Sequence, residues 1–491
     1  MTLNNTNRVN PDPTCLLAIV AHSCVIIFLI VSSSFYQESS LQADTLIYPC
    51  SCFLLGLTVW VFWSWYIVTQ SLFSPYILFF ISALLFNGGQ VILEVFNLNE
   101  TGILQGEFSS ETILLTIFLV VIGLALFHLG ALMSAFQISV APIQVNPQQK
   151  AANNPRKDKE ISQVGWLFFS ISFLPSLLIL QNSLRIVLSG GYFALYQQNE
   201  ATSFDTAPAI LAGFLVPSAM FLLAGSGNNV KEKYLASILI LLYAIIYFFL
   251  GQRNVAVMPL LSFAWLWHQL IRPISKVFLG SVGAFMLLIV FPLVGASRDS
   301  RGEDRLSVDT LLNTFTSINN PLVAVLLEMG GSMNTIAYTI ELVPRFREFQ
   351  WGSEYLYALL TLVPNLFWKL HPTIARGVPG RWLTWAVRPD FAARGGGLGY
   401  SFIAEAYLNF GLFGAPIALG VLGFFFAKLV LWADRSRDPA KMAMVASFTS
   451  SFLFYARAES ALMARPLIWY SFIPFFCVFF LRRLGSKGFI K

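Results

Sequence analysis

Residues 111–136, ETILLTIFLVVIGLALFHLGALMSAF, form an apolar run with its one acid at the first position. A membrane-crossing helix needs roughly 20 such residues. Comparable windows recur from Thr14 almost to Arg482, so the chain cannot be a soluble domain with a single anchor. Over its 491 residues, 56% are hydrophobic and 11% charged. That is too little polar surface to coat a soluble globule of this length.

Apolar windows between polar breaks predict spans near 14–36, 46–68, 74–92, 111–136, 163–184, 207–225, 234–250, 255–270, 277–294, 402–427, 442–456 and 466–481. The fold class is therefore an all-α polytopic membrane protein of about 12 transmembrane helices. Residues 1–294 carry the first nine spans, 295–400 form one large external loop, and 401–491 hold the last three spans and a tail. The run at 14–36 exceeds a signal-peptide core and lacks a small-x-small cleavage site, so it reads as a retained span. The five cysteines suggest neither a disulfide framework nor a zinc site, and the four histidines are scattered, so no metal is expected. A net charge of +6 gives no sign of nucleic acid binding.

Orientation follows from the basic residues of short connections, which stay cytoplasmic. Placing both termini inside puts Lys150 to Lys159, Lys231, Lys233, Arg272, Lys276, Lys428 to Lys441 and the C-terminal cluster on the cytoplasmic side. The acidic loop 93–110 then falls outside. Of 11 lysines only Lys369 is external, whereas 13 of 20 arginines are. Arginine presents a planar, permanently charged fork that grips phosphate or carboxylate bidentately. The outer face thus reads either as an anion site or as arginines paired with local acids and headgroups.

Within 295–400, apolar patches at 321–327, 336–343 and 355–363 predict short amphipathic surface helices. Further on, prolines, Trp368, Trp382 and Trp385 and the run Arg394-Gly395-Gly396-Gly397-Leu398-Gly399 forbid a long helix and allow close backbone approach. Tyr400 and Ser401 follow, then a helix whose positive end faces that turn, a potential anion site. Glu405 lies one turn along, where an acid at the membrane boundary marks either function or pairing. Arg253 occupies the tight Gly251-Gln252-Arg253-Asn254 connection, and Arg457 and Arg465 bracket the last outer loop.

These residues resemble the Wzy-type oligosaccharide repeat-unit polymerases over roughly 240–480. The likeness rests on Gly251-Gln252-Arg253, on Pro364-Asn365-Leu366-Phe367-Trp368, on Gly397 through Gly411 with its Asn409-Phe410-Gly411 end, and on Ala456-Arg457-Ala458-Glu459. Arg388 and Gly399 keep an Arg-x10-Gly spacing found in that family, with no counterpart after Arg185. The resemblance implies a fold like the glycosyltransferase C superfamily, in the bacterial inner membrane, and an inverting, metal-independent, cofactor-free glycosyl transfer. A growing chain on a polyprenyl pyrophosphate would pass to a lipid-linked repeat unit, with a chain-length regulator protein as a possible partner. Arginines would stabilise the charge on the departing pyrophosphate. Candidates for that contact are Arg253, Arg298, Arg394, Arg457 and Arg465, then Arg376, Arg381 and Arg388. Candidates for a general base are Glu405, His371 and Glu459, with Gly395, Gly396, Gly397, Gly399, Tyr400 and Ser401 as a substrate-binding loop. A ligase transferring finished glycan to a lipid A core shares these signals; a transporter would show internal repeats that are not evident here.

Overall fold

A computed structural model describes residues 13–38, 41–100, 102–140, 155–197, 203–296, 315–365, 368–369 and 371–486, together with 309 and 313. The helices are α1 (Pro13–Glu38), α2 (Ala43–Thr69), α3 (Pro75–Val95), α4 (Ser110–Val140), α5 (Pro155–Gly190), α6 (Ser203–Ala212), α7 (Leu215–Gly225), α8 (Val230–Phe249) and α9 (Arg253–Leu270). Next come α10 (Lys276–Phe285) and, beyond a π turn, α11 (Phe291–Ala296). The stretch between α11 and the next long helix holds α12 (Pro321–Met329), α13 (Ser332–Leu342), α14 (Ser353–Leu360), α15 (Pro372–Arg376), α16 (Pro379–Val387) and α17 (Pro389–Ala393). The chain closes with α18 (Phe402–Ser436), α19 (Pro439–Phe452), α20 (Ala464–Leu467) and α21 (Ile473–Ser486). Among the described residues there is no strand.

Ten of these helical stretches are long and apolar enough to cross a membrane. The other two expected spans are also helical but fall outside that set. Helix α9 carries Arg253, Asn254, His268 and Gln269 at its ends, and α19 has only 14 residues. The three apolar patches of the 295–400 region form α12, α13 and α14, as their periodicity predicts.

Several helices start where the sequence pairs a polar cap with a proline, which lacks the N–H that a first helical turn leaves unused. Ser74-Pro75 opens α3, Asn320-Pro321 opens α12 and Asp438-Pro439 opens α19, each side chain accepting from a first-turn N–H.

Two packed groups make up the membrane body. In one, α4 lies along α18, with α1, α2 and α3 around them; in the other, α5 packs on α7, which adjoins α8, α9 and α19. Small residues bring the backbones together, because lipid offers helices no hydrophobic reason to associate and van der Waals contact must do so. A methyl group added at Gly130 of α4 would lie 1.9 Å from the Gly420 carbonyl oxygen of α18, and one at Gly225 of α7 would lie 2.2 Å from the Ser162 nitrogen of α5.

Helix α18 is broken at Gly411, whose φ of 66° falls in the left-handed region. The break is occupied by the segment before α14: the N–H groups of Gln350 and Trp351 donate to the carbonyls of Leu408 and Asn409 at 3.0 and 2.9 Å. The Asn409 side-chain oxygen also accepts from the Glu354 N–H at 3.4 Å. Asn409-Phe410-Gly411 is thus the element that seats α14 against the membrane body.

Candidate active site

The connection between α19 and α20 carries Glu459, a buried carboxylate that accepts one backbone hydrogen bond, from the Gly380 N–H at 2.8 Å. Gly380 stands behind Pro379 in the first turn of α16, where amides have no helical acceptor. A side chain there would meet the carboxylate, since an added Cβ would sit 2.9 Å from Glu459 Oε2. Burial pushes the Glu459 carboxyl up to about 7; the Gly380 N–H opposes this and the nearby Glu354 charge adds to it. A carboxyl poised there can exchange a proton at neutral pH.

The glycine-rich turn lies beside it. Tyr400 donates its N–H to the Arg457 carbonyl at 3.3 Å, and the Arg457 guanidinium packs where a side chain at Gly399 would go, its Nε 2.8 Å from that Cβ position. Gly399 has φ 78°, so both space and backbone require glycine. Leu398 donates its N–H to Thr384 Oγ1 at 3.3 Å, and that hydroxyl donates to the Gly380 carbonyl at 2.8 Å. Gly380, Arg457, Glu459 and the end of the turn therefore form one constellation from three distant segments. Arg381, next to Gly380, is exposed.

A guanidinium and carboxylate network flanks it. Glu354, buried in α14, receives Arg347 at 2.6 Å and Arg376 at 3.3 Å. Arg376 also donates to Gln350 at 2.5 Å and Ser353 at 2.7 Å and lies over the Tyr357 ring. Arg347 lies over Trp382, two residues beyond Gly380.

Glu405 is buried at the start of α18 and fully engaged. It accepts from Tyr455 Oη at 2.9 Å, from Ser460 Oγ at 2.6 Å and from the Ser460 N–H at 2.9 Å. Those bonds tie α18 to the 455–460 segment and hold the neighbouring Glu459 in place. Ser401 caps α18 with its own hydroxyl, accepting from the Ile403 and Ala404 N–H groups at 3.1 and 3.5 Å and donating to Asn87 at 2.6 Å. The helix end expected to be open to an anion is closed by the protein itself.

Other candidates lie in separate surroundings. Arg253 is buried, ion-paired to Glu328, and donates to the Phe291 carbonyl at 2.7 Å, joining α9 to α11 and α12. Arg388 pairs with Glu107 at 2.6 Å. Arg394 donates to the Asp390 carbonyl at 3.3 Å. Arg465 donates twice to the Thr361 carbonyl, at 3.0 and 2.6 Å, finishing α14. Both His371 ring nitrogens are occupied, one by Thr373 and the other by the Val363 carbonyl at 3.1 Å. Gly395 packs on Tyr196, Gly396 packs on the Phe391 ring, and Gly397 faces open space. Arg298 lies outside the described residues, as does the Arg301-Glu303-Asp304-Arg305 cluster.

Sequence reasoning did not single out Gly380, Glu354 or Gln350. A glycine placed directly after a helix-opening proline was the available signal for the first. The others show themselves only through contacts made across the fold.

The fold and this constellation define a polytopic membrane protein with a polar site, rich in arginine and carboxylate, at one end of its helix bundle. The family model described as O-antigen polysaccharide polymerase Wzy matches residues 19–487, nearly the whole chain, and the chain belongs to that family. The family comprises membrane polymerases that act on lipid-linked oligosaccharide. No match is found among curated proteins or among solved structures.

Proposed function

We propose that this chain joins polyprenyl-pyrophosphate-linked oligosaccharide repeat units at the outer face of the bacterial inner membrane, by inverting, metal-independent glycosyl transfer. The observation that carries the mechanism is Glu459: a buried carboxyl with a single hydrogen bond, raised to about 7, beside Arg457 and the glycine turn. Glu459 takes the proton of the acceptor sugar's hydroxyl. The freed oxygen attacks the anomeric carbon of the donor from the face opposite the leaving group, and the bond from that carbon to the pyrophosphate oxygen breaks. Its electron pair leaves on the polyprenyl pyrophosphate.

Fixed guanidinium groups stabilise the charge that grows on that leaving group. Arg457 and the exposed Arg381 are the candidates within the constellation, while Arg253, Arg376, Arg388 and Arg465 are engaged by protein groups in the surrounding structure. Glu405 acts as a positioning residue for the segment that bears Glu459. A chain-length regulator protein is the partner this activity calls for.

Deletion of the gene tests the reading against its neighbour. Surface lipopolysaccharide capped with one repeat is the expected result; bare core would assign a ligase, and an unchanged ladder would contradict both. With purified enzyme, a metal chelator should leave the joining rate unaltered.

A further inference from the structure

At the end of the bundle opposite the candidate site lies a cavity of about 840 Å³ that the proposed reaction does not use. That volume is within the roughly 300–1,000 Å³ of small-molecule sites. Lys233, Arg435 and Arg437 line it, with Asp434 the one acid among them and Asn228 and Gln269 as neutral donors. Asp434 offsets one of these three charges and leaves the lining net positive, while the acids just outside it are engaged by other groups. Asp438 is held by both nitrogens of Arg482, at 2.8 and 3.0 Å, and Glu232 accepts from Ser162 at 2.8 Å and Trp166 at 3.2 Å. Leu223, Leu270 and Met442 give the cavity an apolar wall.

Arg437 adds a second observation. It ends α18 with φ 48°, in the left-handed region where glycine or asparagine is the usual occupant, and its N–H donates to the Asp434 carbonyl at 3.3 Å. An L-residue with a Cβ adopts that conformation only under strain. Arg437 thus sits where the backbone favours a small residue, and it lines the cavity.

From this arrangement we infer that the cavity binds the phosphodiester headgroup of an anionic glycerophospholipid. Lys233 and Arg437, with Arg435 shared with the Ile138 carbonyl, match one phosphodiester, and the apolar wall suits the glycerol and first acyl carbons. Basic pockets between helix ends at a membrane surface recognise such headgroups. Inorganic phosphate shares the charge chemistry but has nothing to place on the apolar wall.

The test uses the full chain purified in neutral detergent, titrated separately with phosphatidylglycerol, phosphatidylcholine and inorganic phosphate and read by native mass spectrometry. Wild type should retain phosphatidylglycerol and not phosphatidylcholine. The double variant Lys233→Gln, Arg437→Asn, whose asparagine suits the left-handed position, should bind phosphatidylglycerol about tenfold more weakly or worse. A charge-keeping variant, Lys233→Arg with Arg437→Lys, should bind as wild type does. Equal retention by the double variant, equal binding of phosphatidylcholine, loss of binding in both variants, or binding of inorganic phosphate without phosphatidylglycerol would each overturn the inference.

Discussion

Glu459 is held in an environment that suits chemistry and costs stability. Its carboxyl titrates near 7 in the folded chain against an ordinary 4.5. The folded state therefore keeps a proton that the unfolded state loses between those two values, and stability falls as pH rises across that window. Above pH 7 the penalty is about 3 kcal/mol at most. Glu459→Gln keeps an acceptor for the Gly380 N–H and removes the charge. Thermal unfolding in detergent should show the variant more stable than wild type at pH 8 and indistinguishable at pH 4; lower stability at pH 8 would mean the buried charge is compensated. At this scale the sequence was partly readable. The contrast of lysine and arginine pointed to the outer face, and Glu459 was among three candidate bases. Which arginines are committed to carboxylates was not readable, because Arg253 meets Glu328 and Arg388 meets Glu107 across long sequence separations. Among the described residues, Arg347 and Arg376 pair with the nearby Glu354, and Arg253 and Arg388 with acids distant in sequence.

Among the elements, α4 and α18 depend on glycine for their approach, and α14 depends on the break at Gly411. Gly130→Ala would force its methyl group against backbone atoms of Gly420, which cannot rotate away as a side chain could. Overpacking of this kind costs roughly 1–3 kcal/mol, and here the obstacle is main chain. Gly56, in α2, has nothing within 4 Å of its Cβ position and serves as the control. Gly130→Ala should lower both the folded yield and the unfolding temperature, whereas Gly56→Ala should leave both level or slightly raised; equal behaviour of the two would remove the close-packing argument. Helix positions were legible because apolar runs, proline starts and polar caps are local signals. The role of Asn409-Phe410-Gly411 was not, since a helix break gains meaning only when the carbonyls it frees are seen accepting from Gln350 and Trp351. At the start of α18, Ser401, read as part of a binding loop, also serves as the helix cap.

For the whole molecule, the two ends of the bundle carry different chemistry. One end gathers Glu459, Arg457, Gly380 and the glycine turn, drawn together from segments that the sequence keeps far apart. The other gathers one lysine and two arginines around an open cavity, and α18 runs from one end to the other. Hydropathy alone predicted this multi-pass architecture; the convergence at the Glu459 end needed the fold. The central claim is that this end joins repeat units with Glu459 as base, and one assay addresses it directly. Purified chain in liposomes is supplied with a synthetic polyprenyl-pyrophosphate repeat unit, and lipid-linked products are resolved by length for wild type and Glu459→Gln. The account predicts a ladder from wild type and a rate lowered roughly 10²–10⁴-fold in the variant. A wild-type enzyme that never joins two repeats, or a variant that builds the ladder at the wild-type rate, would contradict it.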